Sequence, residues 1–497
     1  MSGLRQLIEV LGVIVLVYFA LTNMIYLFFT PIAWRSLTGH LRAREYSAAD
    51  ETFASPLTPP VSILLPAFNE EAGIVESVRS LLALRYPEFE VIVIHDGSSD
   101  ATLARLMEEF DLAPIRKVIR DSIPCARILG SYVSRRNSAL SVIDKENGGK
   151  ADALNCGVNA TRYPYFCAVD ADAIIEEDAL LRVAQPILND PELVAATGGI
   201  IRIANGCKVD HGRVTDVRLP RSRLATFQVV EYFRAFLVGR VGWNRLSSLL
   251  IISGAFGLFR RSLVEAVGGY WTKTVGEDVE LVIRLHHYLR ERGEPYRIEF
   301  VPDPVCWTEA PEDLRTLARQ RRRWQRGLAE ALWRHRSLLG NPRYGVLGLA
   351  AFPYFLMFEL LGALVELLGY LMLPPAVLLD MISPVFLYTF LVLAILLGVL
   401  FSISALALEE FSFRRHTHSR EVWRMIFYAI AENFGYRQLT SYWRVLAFFD
   451  LARRKRDWGA MRRKGLGPAP SIPRPPDASV TDQSMNGHAK SLSERQS

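Results

Sequence analysis

Tyr165-Phe166-Cys167-Ala168-Val169-Asp170-Ala171-Asp172 is a short apolar run that ends in two carboxylates one residue apart. A run of this length, rich in β-formers and bounded by polar residues, reads as a buried strand. It delivers Asp170 and Asp172 at its end, on one side of the chain, because alternate strand residues face the same way. Hard divalent ions such as Mg²⁺ or Mn²⁺ take carboxylate oxygens together with phosphate oxygens. By itself such a pair is also common in loops and helix caps, so its meaning depends on what surrounds it.

The same strand-then-polar rhythm recurs upstream. Val61-Ser62-Ile63-Leu64-Leu65 is a strand, followed by a helix with apolar residues at Ile74, Val75, Val78, Leu81 and Leu82. Val91-Ile92-Val93-Ile94 is a second buried strand, running into His95-Asp96-Gly97-Ser98-Ser99-Asp100. Leu140-Ser141-Val142-Ile143 is a third, broken by Gly148-Gly149 before a helix opens at Lys150. This alternation over residues 60–310 predicts an α/β fold with a mostly parallel sheet. Its polar residues gather at the carboxyl ends of the strands, where open α/β sheets bind ligands. No GxxxxGK[ST] run and no GxGxxG after a strand occurs, which excludes the simplest nucleotide-fold signatures.

Asp96 ends a strand and is either a turn and cap residue or an acceptor for a base or ribose. Lys150, two glycines after a strand end, is placed to meet a phosphate. Gly276-Glu277-Asp278 precedes a helix with Val279, Leu281, Val282 and Leu285 on one face. There the carboxylates either cap the helix or supply a general base that takes a proton from a hydroxyl. Gln320, Arg323 and Trp324 share a helix face at i, i+3 and i+4. Arg323 can clamp a diphosphate with paired donors, and Trp324 can stack on a sugar ring. With Arg319, Arg321, Arg322 and Arg326 around them, the same helix also reads as a basic amphipathic helix at a lipid surface.

Composition places this domain in a mixed chain. Of 497 residues, 50% are apolar, and the mean hydropathy is +0.15, between soluble and wholly membranous proteins. Residues 7–34, 345–373 (ended by Pro374-Pro375) and 385–408 are long and apolar enough to span a bilayer. Glu359 and Glu366, seven apart in the second span, share a face. That face looks into protein or a polar passage, or pairs with basic residues of the soluble domain. Segment 425–449 carries charges and many aromatics. Basic flanks at Arg35, Arg42 and Arg44, at Arg414-Arg415 and over 453–464 put both its ends inside, so interfacial or re-entrant helices are expected there. The net charge of +6 and the clustering of Arg and Lys beside apolar segments favour anionic lipid over nucleic acid. Five scattered cysteines without a CxxC pair indicate thiols in a reducing compartment. From 465 the composition is that of a disordered tail.

The chain resembles the processive, inverting family 2 membrane glycosyltransferases, which include cellulose, hyaluronan, chitin and poly-N-acetylglucosamine synthases. The resemblance covers roughly residues 60–460. It rests on Pro66-Ala67-Phe68-Asn69-Glu70, Asp96-Gly97-Ser98-Ser99-Asp100, Gly148-Gly149-Lys150-Ala151-Asp152-Ala153-Leu154-Asn155, Asp170-Ala171-Asp172, Ser253-Gly254-Ala255-Phe256, Gly276-Glu277-Asp278 and Gln320-Arg321-Arg322-Arg323-Trp324. Trp458-Gly459-Ala460-Met461 is similar to the poly-N-acetylglucosamine branch.

The resemblance implies a GT-A-like domain with flanking transmembrane and interfacial helices. It implies a UDP-sugar donor, with UDP-N-acetylglucosamine first among candidates, and Mg²⁺ or Mn²⁺ on Asp172 and Asp170. Asn69, Glu70, Asp96, Lys150, Asp170, Gln320 and Arg323 would hold the donor. Asp278 would be the base, and Trp324 and Glu277 would meet the acceptor. The expected partition is 1–34 span, 35–310 cytoplasmic catalytic domain, 311–343 interfacial helix, 344–408 two spans, 409–464 interfacial helices and 465–497 tail, in the cell membrane. The partners would be a growing polysaccharide, lipid and an accessory membrane subunit.

Two departures stand out. Gly276 replaces the Thr or Ser usual before the Glu-Asp pair, and no cellulose-type FxVTxK gating loop occurs. No cyclic-nucleotide-binding domain is expected at the C-terminus either. The competing readings are a transferase of single sugars to a lipid, and a non-catalytic membrane scaffold.

Overall fold

The structure is a computed structural model that describes residues 2–46, 57–210, 213–413 and 419–453. The basic segment 454–464, Arg414-Arg415, the Trp458 motif and the tail 465–497 lie outside the described residues.

The strands are β1 (Val61–Ala67), β2 (Phe89–Asp96), β3 (Leu112–Pro114), β4 (Ile128–Ser134), β5 (Leu140–Lys145), β6 (Tyr165–Val169), β7 (Ile174–Ile175), β8 (Val194–Ile203), a small hairpin of β9 (Lys208–Asp210) and β10 (Arg213–Asp216), β11 (Phe256–Arg260) and β12 (Arg297–Thr308). The main sheet runs β3-β4-β5-β2-β1-β6-β11-β8-β12-β7. Its central block β5-β2-β1-β6 is parallel, as is β8 with β12, and most paired residues lie in these parallel ladders. The chain first winds outward from β1 through β2 to β5, then returns to lay β6 on the other side of β1. The carboxyl ends of β1 and β6 therefore flank a point where the winding reverses, which opens a crevice. β2, β6 and β8 are buried along almost their whole length, as continuous apolar strands covered on both faces must be.

Two features differ from the sequence expectation. β3 pairs antiparallel with β4, and β4 antiparallel with β5. β4 is a largely half-exposed strand with mixed polarity, so its apolar signal is diluted. β11 inserts antiparallel between β6 and β8, and the turn before it carries Ser253-Gly254-Ala255 to the crevice.

Among the described residues three helices are long and apolar enough to cross a membrane: Gln6–Arg42, Leu347–Leu378 and Pro384–Phe413. The second continues through Pro374-Pro375 to Leu378 rather than stopping there. Proline's fixed φ is helical, but beyond the first turn each ring removes an N–H bond and crowds the carbonyl four residues earlier. The C-terminal helices Ser419–Ala431 and Tyr436–Ala452 form no apolar span.

Glu366 of the second span looks into protein and Glu359 lines the cleft, and the partners of both lie elsewhere than on the soluble domain. Tyr18 of the first span donates to Glu366 (3.0 Å), as does Ser441 of the last helix (2.6 Å). Arg444, on that same helix, lies 3.7 Å from Glu359. All five cysteines are free thiols.

Candidate active site

A cleft of about 1350 Å³ lies at the crevice and extends toward the membrane helices. Each sequence-predicted site residue lines it: Asn69, Glu70, Asp96, Lys150, Asp170, Asp172, Glu277, Asp278, Gln320, Arg323 and Trp324. Their spacing along the chain spans some 250 positions, so only the tertiary fold brings them together.

Lys150 is the hub. It is the first residue of the helix Lys150–Ala160, and its ammonium lies 2.5 Å from Asp170 and 3.4 Å from Glu277. It also donates to the carbonyl of Gly254 (3.3 Å). Burial alone would depress this ammonium. The charges of Asp170, Glu277 and Asp278 outweigh burial and hold it above the ordinary lysine value. Glu277 shows the counterpart. Burial raises its carboxyl, with Asp278 adding to the rise and Lys150 pulling against it. Glu277, the residue expected at the acceptor, lines the cleft, is only 4% exposed and lies 3.4 Å from Lys150.

Asp278 sits one position further into the helix Glu277–Glu291 and is half-buried. Gly254 N–H donates to its Oδ2 (3.0 Å) and Val279 N–H to its Oδ1 (2.8 Å). The strand-leading turn thus fixes the orientation of this carboxylate while leaving lone pairs toward the cleft.

Asp96 is fully engaged by its own chain. Lys145 and the N–H of Gly148 (3.0 Å) donate to Oδ1, and the N–H of Gly149 (2.8 Å) with Asn147 Nδ2 (3.3 Å) donate to Oδ2. A carboxylate has about four lone-pair sites, so a nucleotide contact would require one of these bonds to be given up. As it stands, Asp96 positions the glycine loop that leads into Lys150. Lys145 itself is buried between Asp96 and Asp152 (2.8 Å).

Asn69 takes a left-handed φ of 56°, and its side chain accepts from Ser99 N–H (2.9 Å). Asp100 accepts from the N–H of Glu71 (3.1 Å) and of Thr102 (3.0 Å), so it ties the 69–71 turn to the helix after β2.

The opposite wall is the helix Leu314–Arg334. Gln320 is buried with an Oε1 that accepts no hydrogen bond among the described residues. Trp324 is 42% exposed, and one face of its ring carries the Arg321 guanidinium at 4.8 Å. Arg321 is held in turn by a two-point contact with Glu231 (2.5 and 2.8 Å).

Sequence reading left residues 204–250 without a role. The structure places Glu231, Tyr232, Phe236, Arg240 and Trp243 from that segment on the cleft wall. They lie on one helical stretch from Arg223 to Arg245, interrupted by a wide π-helical segment at Arg234–Arg240. A π-segment has no distinctive composition, but the recurring Arg and aromatic residues on one apolar stretch were the available signal.

The profile described as "Glycosyltransferase like family 2" matches residues 59–327, more than half of the chain. The chain belongs to glycosyltransferase family 2. Within the family it is similar to the poly-beta-1,6-N-acetyl-D-glucosamine synthase of Staphylococcus epidermidis, at 31% identity over 55% of this chain and 56% of the relative. It is also similar to the synthase of the same name from Staphylococcus aureus strain COL, at 32% identity over 60% of each chain. The match thus spans about 56–60% of the length of these curated relatives. Among solved structures, a mannosyltransferase from Pyrobaculum calidifontis in complex with GDP-Man and Mn²⁺ is similar at 17% identity and a TM-score of 0.45, covering 86% of this chain and 98% of that one. The fold of the family 2 chain is a GT-A-like α/β domain with apolar helices at its flanks.

Proposed function

We propose that this family 2 chain is a membrane-embedded inverting β-glycosyltransferase that extends a polysaccharide from a UDP-sugar, with UDP-N-acetylglucosamine the best candidate. The observation that carries the reading is one cleft holding Lys150, Asp170, Asp172 and Asp278 against the helix of Gln320, Arg323 and Trp324.

In this account Lys150 and Arg323 bind the diphosphate of the donor. Gln320 offers a buried carbonyl oxygen with no partner among the described residues. Asn69 and Glu70 lie at the nucleotide end, with Asp96 supporting the glycine loop beside them. The inverting step is one in-line displacement. Asp278, oriented by Gly254 and Val279, takes the proton of the acceptor hydroxyl as that oxygen attacks the anomeric carbon, and UDP leaves. Trp324 offers its open face to the acceptor sugar.

Asp170 and Asp172 fit Mg²⁺ or Mn²⁺: they are hard oxygen donors beside the proposed diphosphate site. No larger cluster of His, Cys, Asp or Glu that could hold a metal occurs among the described residues. Magnesium is commonly bound by one or two carboxylates plus substrate phosphates rather than by a protein cage. The ion would supply neutralising charge to the leaving diphosphate. Lys150, already paired with Asp170, would share that carboxylate.

The positive flanks support a catalytic domain on the cytoplasmic side of the cell membrane, with the three apolar helices crossing it. Incubation of purified membranes with a panel of labelled UDP-sugars tests the reading. One sugar should be built into a product that grows with time, and incorporation of none would overturn it.

A further inference from the structure

Arg240 is a cation without a counter-ion in a cleft where cations are otherwise matched. Lys150 has Asp170, Arg321 has Glu231 and Arg444 has Glu359. Among the described residues Arg240 forms no ion pair and no hydrogen bond. Its guanidinium carbon lies over the Phe236 ring, 3.8 Å from the ring centroid. Stacking occupies a guanidinium face and leaves the N–H edge free to donate in its own plane. The residue also ends the π-helical segment Arg234–Arg240, and single wide turns of this kind are frequent at functional sites.

Its neighbours locate it. The charge of Asp278 favours the Arg240 cation. Burial lowers this guanidinium to about 10, so leaving it without a partner carries a cost. Arg240 and Asp278 line the same cleft. The wall around it is apolar and aromatic, with Phe236, Trp243 and Tyr354 on the way toward the membrane helices.

We propose that Arg240 binds the terminal sugar of the acceptor, donating its in-plane N–H edge to the carbonyl oxygen of an N-acetyl group and so turning the attacking hydroxyl toward Asp278. A guanidinium donates only, and an amide carbonyl accepts only, so the two match better than a guanidinium and a hydroxyl. The inference rests on the glycosyltransferase reading above and adds the acceptor's chemical class to it.

The test uses the full-length protein in lipid nanodiscs with R240Q and R240K. Two neutral acceptors are compared: β-1,6-linked N-acetylglucosamine oligomers, and the glucose oligomers that carry a hydroxyl in place of the acetamido group. UDP affinity is measured alongside by calorimetry. In R240Q the KM for the N-acetylated acceptor should rise roughly tenfold or more, with a much smaller change for the glucose oligomer and UDP affinity within about twofold. R240K keeps the charge but loses the planar fork, so it should show the same split, and it carries the measurement if R240Q fails to bind UDP. Equal changes for both acceptors, no change in either, or a loss of UDP affinity with acceptor KM intact would each overturn the assignment. A wild-type protein that elongates neither oligomer would sink the functional reading, and this proposal with it. A wild type that elongates both, beside an unaffected R240Q, would sink this proposal alone.

Discussion

Gly276 and Gly327 pack backbone against backbone. A Cβ on Gly276 would stand 2.8 Å from the Cα of Gly327, and one on Gly327 would stand 2.7 Å from the Cα of Gly276. The contact joins the residue before Glu277-Asp278 to the helix that carries Gln320, Arg323 and Trp324. Glu330 reinforces it one turn on, accepting from Thr274 Oγ1 (2.7 Å) and Val275 N–H (3.2 Å). The distance between the base and the opposite wall is thus set by two missing side chains.

Gly327→Ala and Gly276→Ser should therefore push these elements apart. Overpacking of this kind costs about 1–3 kcal/mol, and displacement of a base from its reaction geometry costs far more in rate than in stability. Transfer should drop by about tenfold or more while the protein still binds UDP. The second variant is the sharper one, because it installs a residue that the family ordinarily has there. Wild-type turnover in Gly276→Ser would show that the glycine contact does not set the site.

Asp278→Asn should remove transfer and spare donor binding, since the lost function is proton abstraction. General-base loss is worth on the order of 10²–10⁴-fold. Calorimetric UDP affinity near wild type beside a collapsed rate is expected. A rate within about threefold of wild type would remove Asp278 from this role.

Much of this site was legible because each motif is local. Asp170-Ala171-Asp172 follows its own strand, Lys150 follows its own glycines, and Glu277-Asp278 opens its own helix. The partners that make these groups work are distant and carry no local sign. Nothing near Asp96 indicates that Lys145 and the 147–149 loop occupy it. Nothing near Glu277 indicates that it would turn to Lys150. Arg240 became visible only when a wide helical turn placed it on the wall of the cleft that Asp278 also lines. In the sheet, β6 was legible because it is buried on both faces, whereas β4, half-exposed and near an edge, had too little periodicity to be read.

Lys145→Met should be severely destabilising. The ammonium is fully buried between Asp96 and Asp152, and its removal strands two carboxylates. Breaking a buried pair costs about 3–5 kcal/mol. Burial depresses the Lys145 ammonium, but Asp152 and Asp96 outweigh that and hold it above its usual value. A raised folded-state value means that the contribution is complete below about pH 10 and fades only at more alkaline pH. Thermal denaturation at neutral pH should show a large drop in Tm for the variant. An unchanged Tm would contradict the buried-pair account.

Chelation should stop the reaction. EDTA should abolish turnover of the UDP-sugar, and Mg²⁺ or Mn²⁺ should restore it, with Asp172→Asn no longer rescued at the same ion concentration. Full activity in EDTA would sink the assignment of a metal to Asp170 and Asp172.

Trp324→Ala should loosen the acceptor more than the donor. Aromatic stacking on a sugar is worth about 1–3 kcal/mol, which corresponds to roughly tenfold or more in affinity. Shorter product with UDP affinity little changed is expected. Full-length product at the normal rate would leave Trp324 as a partner of Arg321 alone.

The central claim is inverting polymer extension, and one measurement addresses it directly: purified wild-type protein in nanodiscs, supplied with labelled UDP-N-acetylglucosamine and a divalent ion, followed by product size and anomeric configuration by NMR. The account predicts a high-mass, β-linked polymer that accumulates in step with released UDP. An α-linked product, or a single sugar moved onto lipid with no further growth, would contradict it.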